Sequence, residues 1–98
     1  MPYVIETWDK PGSQAIRAKR RPAHLAFLAE HARKLLACGA KLHDDGSDLG
    51  GGVYVLDTED RAEAEAFIAA DPFTKSGLFE RISIVRQRRA YIAGVCLL

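Results

Sequence analysis

The chain has 98 residues, 48% of them hydrophobic, enough for one domain over 1–98 with a buried core and little surplus stability. Fourteen basic against thirteen acidic side chains leave a formal charge of +1, which removes any general electrostatic drive toward nucleic acid or an anionic membrane. The first ten residues lack the basic start and apolar run of an export signal, no stretch approaches a membrane span, and Cys38 and Cys96 match no metal or redox spacing, so the expected setting is cytoplasmic with free thiols.

Residues 2–9 alternate Tyr3, Ile5 and Thr7 with Val4, Glu6 and Trp8, which predicts a strand ended by Pro11-Gly12. Ser13 is placed to cap a short helix reaching Arg20, and Pro22 suits the first turn of a second helix, where no N–H is needed. Leu25, Leu28, Ala29, Ala32, Leu35 and Leu36 form one apolar stripe on that second helix, and Gly39 is its expected stop. A short strand over residues 40–44 should then turn through Asp45-Gly46-Ser47-Asp48 and the glycines Gly50, Gly51 and Gly52. Residues 53–57 read as the third strand. Thr58 is the expected cap of a helix presenting Ala62, Ala66, Phe67 and Ala69 inward, and Asp71-Pro72 ends it. Residues 79–89 alternate as a fourth, arginine-rich strand, and an apolar tail follows from Ala90 to Leu98.

This order, with the split helix counted as one layer element, predicts an α+β, ferredoxin-like fold: an antiparallel four-stranded sheet with helices on one face. The other face, carrying Tyr3, Val53, Val55 and Ile82 or their alternates, is too apolar to stay wet, so packing of two sheets into a homodimer is expected. Tyr91, Ile92, Val95, Leu97 and Leu98 in the tail are expected to cover an edge strand or reach the partner.

His24 and Asp71 stand out chemically, one at the expected start of a helix and one at the end of another. If the fold joins those ends, they make a dyad able to move a proton near neutral pH. A helix N-terminus would disfavour the imidazolium while the carboxylate would favour it. The alternative is structural, with His24 bridging two helix ends and Asp71 starting a turn. The basic runs Arg17, Lys19, Arg20, Arg21 and Arg81, Arg86, Arg88, Arg89 can hold a carboxylate or phenolate, Arg21 being the best placed, or can serve as solvated charge. Phe73 and Trp8 are expected in core or pocket lining, Tyr3 either at the cleft or on a dimer face, and Ser76 beside a turn where it can bond a ligand. His31, His43 and the nearby aspartates fit neither zinc nor calcium spacing, and the glycine run leads into a strand, so neither a metal nor a phosphate site is expected.

Tyr3-Val4-Ile5, Arg21-Pro22-Ala23-His24-Leu25, Ala69-Ala70-Asp71-Pro72-Phe73 and Ser76-Gly77-Leu78-Phe79-Glu80 resemble, in order and spacing, the YCII-related (YciI-like) proteins. The resemblance runs from the first strand to the fourth and leaves out residues 41–52 and the tail. It implies a dimeric α+β barrel with a site around a His-Asp pair, here His24 and Asp71. One branch that the chain resembles is a dehydrochlorinase acting on chlorinated hydroxyquinol intermediates, and the wider superfamily includes muconolactone isomerases. Where the family often has Gly-Pro after its first helical layer, this chain has Gly39-Ala40. Two functions follow. The first is a small acid–base enzyme, a lyase or isomerase without metal or organic cofactor, performing proton transfer or elimination on a small oxygenated molecule. The second is a non-catalytic dimeric module that binds a small ligand or serves as an accessory domain.

Overall fold

A computed structural model describes all 98 residues. Strand β1 (Tyr3–Asp9) leads into helix α1 (Gln14–Glu30), a single 3-10 turn (Ala32–Lys34) and strand β2 (Leu35–Leu42). Strand β3 (Asp48–Leu56), helix α2 (Arg61–Ala70), the short helix α3 (Pro72–Lys75) and strand β4 (Phe79–Arg86) follow. A small hairpin of β5 (Tyr91–Ile92) and β6 (Val95–Cys96) ends the chain. The main sheet has the order β2-β3-β1-β4 with every neighbouring pair antiparallel, an α+β, ferredoxin-like arrangement.

Strand alternation sets the two faces. Tyr3, Ile5 and Thr7 of β1 and Tyr54 and Leu56 of β3 point to the helices and are buried. Phe27 of α1 and Ala64, Phe67 and Ile68 of α2 close over them, the Phe27 and Phe67 rings meeting at 5.1 Å. Val4, Trp8, Val53, Val55 and Val85 occupy the opposite, open face. Tyr3 and Ile82 are therefore on the helix side, because Ile82 is registered against Thr7. On the open face the Trp8 ring carries the ammonium of Lys41 at 4.2 Å and the guanidinium of Arg81 at 4.5 Å.

Several boundaries differ from the sequence expectation. The two helices expected before residue 39 are one, and Pro22 lies inside it rather than at its start. An interior proline forfeits the N–H bond to residue 18 and costs up to about 3 kcal/mol; tertiary packing of Phe27 and Leu28 on the inner face offsets this. The helix also stops earlier than expected. His31 ends it: its Nδ1–H donates to the Phe27 carbonyl at 2.9 Å and its backbone N–H to Leu28. Leu35 and Leu36 extended the helical stripe by coincidence and belong to β2, where Gly39 pairs with Val53.

Gly50, Gly51 and Gly52 belong to β3 and not to the turn. Gly51 has φ +118°, and a Cβ there would sit 2.0 Å from the Thr7 carbonyl oxygen, so only glycine fits this approach of β3 to β1. The Gly52 N–H donates to the buried Thr7 hydroxyl at 2.9 Å. At α2 the cap is Asp60, which accepts from the Ala62 N–H at 2.9 Å, while Thr58 accepts from Asp60 and donates to Glu63. Ala62, Ala66 and Ala69 face solvent, because the larger Phe67 and Ile68 decide which side of the helix turns inward. The fourth strand ends at Arg86 and the tail pairs only with itself.

Candidate active site

Asp71 is fully buried and sits between α2 and α3, closing one helix and opening the next. Its Oδ1 accepts the Phe73 N–H at 2.9 Å, an N-cap bond, and Pro72 occupies the first helical position where its missing N–H does no harm. Tyr54, buried on β3, donates its hydroxyl to Asp71 Oδ2 at 3.0 Å. A buried anion needs such partners. Burial first, and the charge of Asp71 second, push the Tyr54 phenol well above its usual range, so it remains a donor.

His24 supplies the third donor. Its Nδ1 lies 2.9 and 3.0 Å from the two oxygens of Asp71, and its ring stacks on Phe73 at 4.0 Å between centroids with the planes 16° apart. The Tyr54 ring meets the imidazole edge-on at 6.3 Å. A carboxylate facing Nδ1 assigns the proton to that nitrogen and leaves the lone pair on Nε2. Nε2 has no hydrogen-bond partner and is not sealed from solvent. The helix-terminus argument for a neutral ring fails, since His24 is in the middle of α1, far from either end of its dipole.

The imidazole borders a cavity of about 310 Å³ enclosed by α1, β2, β3 and α3. Leu25, Leu28 and Leu35 give it an apolar wall, and Cys38, Gly39, Ala40, Gly51 and Gly52 give it a floor of small residues. Cys38 is an exposed residue whose register against Tyr54 puts its side chain on the cavity side. Although the residue as a whole is exposed, its thiol is pushed up to about 11, by partial burial against the cavity first and by the charge of Asp71 second. Arg17 and Arg21 stand over the opening. Arg17 is pinned by Asp9 through bonds of 2.7 and 3.0 Å, and its guanidinium lies 4.7 Å from the centre of the Phe73 ring.

Of the residues singled out from sequence, the fold brings together His24, Asp71, Arg21 and Phe73. Tyr3 is packed in the core and does not line the cavity, and the Ser76 hydroxyl donates to the Phe73 carbonyl at 2.8 Å. Tyr54 and Cys38 were not foreseen as cavity residues. Their alternation with Val53 and Val55, and with Ala37 and Gly39, was the available signal.

Comparison with known proteins accords with this geometry. Residues 1–88 match the model of the YCII-related domain. The proteins named YciI of Escherichia coli O6:H1 and Shigella flexneri are each 34% identical to the chain over 91 residues, covering 86% of it and 93% of the relative. The solved structure of the 5-chloro-2-hydroxyhydroquinone dehydrochlorinase TftG from Burkholderia phenoliruptrix AC1100, in complex with 2,5-dihydroxybenzoquinone, superposes with a TM-score of 0.82 at 33% identity. That match covers 90% of this chain and 94% of the other. An antibiotic biosynthesis monooxygenase structure, 18% identical with a TM-score of 0.50 over 91% of this chain and 100% of its own, shares the fold. The chain belongs to the YCII-related family.

Proposed function

We propose that the chain is a small acid–base enzyme in which His24 Nε2 takes a proton from a small oxygenated, ring-shaped molecule. The observation that carries this is the bond from His24 Nδ1–H to the fully buried Asp71 carboxylate, with Nε2 left open beside the cavity. Asp71 fixes the tautomer and stabilises the imidazolium formed as the proton arrives. In an elimination the C–H electrons become the new double bond, and the leaving group departs with its own bonding pair. Phe73 holds the imidazole plane, and the leucine wall suits the face of a ring. The dehydrochlorinase to which the chain is similar acts on a chlorinated hydroxyquinol, which supports this substrate class and this bond-breaking step.

The working unit is proposed to be a homodimer formed through the open sheet face, where Val4, Val53, Val55 and Val85 lie unpaired. No helix is long and apolar enough to cross a membrane. Two exposed unpaired cysteines fit a reducing cytoplasm.

The test is turnover of halogenated and hydroxylated quinols and aromatic acids by the wild type, His24→Ala and Asp71→Asn. Asp71→Asn keeps an oxygen for the Phe73 N–H but presents an amide N–H where Nδ1–H or the Tyr54 hydroxyl must donate, so it favours the wrong imidazole tautomer. Both variants should fold and lose about 10²- to 10⁴-fold in kcat. Ligand binding without turnover, or turnover that survives in His24→Ala, would leave the cavity as a binding module.

A further inference from the structure

The charge inventory of the cavity is one-sided. Its lining contains two guanidinium groups, those of Arg17 and Arg21, and no aspartate or glutamate, because Asp71 lies behind the imidazole and not in the wall. The two arginines differ in state. Arg17 is already neutralised: Nε and one terminal nitrogen are bonded to Asp9, and Nε lies 3.9 Å from Asp48. Arg21 has no ion pair and no hydrogen bond. It stands one turn before His24 and one turn after Arg17 on α1, so all three project to the same side of the helix.

With Arg17 compensated by Asp9, Arg21 is the cation of this helix side left without a counter-charge, and an anion placed beside it supplies one. A second cavity of about 700 Å³ adjoins the first and shares Arg17, Arg21 and Ala40 with it; its lining adds Lys10 and the two carboxylates, Asp9 and Asp48, that face Arg17. Arg21 thus stands at the junction of a narrow inner chamber and a wider outer one. The inner chamber is at the small end of ligand sites and accepts about one ring.

Resting on the proton-transfer reading above, we infer that the natural ligand is an anion, a single ring bearing a carboxylate, and that Arg21 is the residue that selects the charge. The ring lies in the inner chamber against Phe73 and the leucine wall. The charged substituent points to the junction, where the planar guanidinium can engage two oxygens at once. Arg17 acts as a fixed support: its pairing with Asp9 leaves Arg21 as the cation free to rearrange.

A pair of probes differing in charge tests this: 2,5-dihydroxybenzoate and its neutral amide, 2,5-dihydroxybenzamide, titrated into the full chain by calorimetry at low and raised salt. The wild type should bind the carboxylate about tenfold or more tightly than the amide, as one charge-assisted contact predicts. Arg21→Gln, an exposed and therefore tolerated substitution, should bring the two affinities together, whereas Arg21→Lys should retain part of the preference. Raised salt should weaken the carboxylate and leave the amide unchanged. Equal affinities in the wild type, a preference that survives in Arg21→Gln, or no binding of the carboxylate at millimolar concentration would overturn the inference. Its failure is separable from that of the enzymatic reading. His24→Ala should lose turnover while keeping the charge preference, so an anion-selective protein with no turnover defeats only the enzyme, and a catalyst indifferent to charge defeats only the inference of an anionic ligand held by Arg21.

Discussion

Asp71 gathers three donors from three different elements: the imidazole of α1, the phenol of β3 and a backbone N–H of α3. Around it the folded state holds protons tightly. The ordinary values of the Cys38 thiol and the Tyr54 phenol are 9.0 and 10.0, and both are raised by folding, the thiol to about 11. The native state thus binds more protons than the unfolded one above pH 9, and the stability slope with pH is negative there. The contribution of these two groups should be fully present below pH 9 and be lost steadily as the pH rises toward 11, with Tyr54 extending the loss beyond. Melting temperature followed from pH 8 to 11 checks this, and Cys38→Ala should flatten the first part of the fall; a Tm that holds level through pH 11 contradicts it. The His24 and Asp71 part of the site was legible in sequence because each is a chemically distinctive residue close to a proline, although only Asp71-Pro72 stands at a helix junction and Pro22-Ala23-His24 lies inside α1. The pinning of Arg17 and the phenol of Tyr54 were not, since each depends on which strand faces which helix, and no local pattern encodes that.

At the level of elements, packing overrode local signals where the two disagreed. Pro22 reads as a helix start and sits inside one, and the glycine run reads as a turn and forms part of β3 where it passes too near β1 for a Cβ at Gly51. Strand β1 was legible, because alternation of period two survives unless a bulge breaks it, but alternation alone does not say which face is covered: Val53 and Val55 lie on the open face as expected, and Tyr3 and Ile82 do not. The glycine contact has a measurable cost. Gly51→Ala would force a Cβ to within 2.0 Å of the Thr7 carbonyl at a positive φ, so β3 must withdraw from β1 and the Gly52 to Thr7 bond must stretch. The expected destabilisation is about 3 kcal/mol or more in a urea melt. Gly46→Ala is the control, with a comparable φ of +88° but nothing within 4 Å of its Cβ, and should lose only about 1 kcal/mol.

For the whole molecule, the proposed homodimer rests on the open face. Val85 is 53% exposed and lies on the side away from the helices with Val4 and Val55. A charge buried in a sheet-to-sheet contact has no partner, so Val85→Asp on edge strand β4 should convert the proposed dimer into monomers in analytical ultracentrifugation without unfolding the chain. If Val85→Asp sediments like the wild type, the contact lies elsewhere. The terminal hairpin, which begins beyond the family match and exposes Tyr91, Val95 and Leu98, is the alternative surface, and a chain cut after Arg89 tests it in the same instrument. The cavity has one further property, inherited from the strand order. Three of its floor residues, Cys38, Gly39 and Ala40, belong to β2, which is held by a neighbour on one side only. A plank nailed along a single edge gives before one nailed along both, so the chamber is rigid where the imidazole is anchored and compliant on the opposite bank, and a bulkier ring would be accommodated by outward movement of β2.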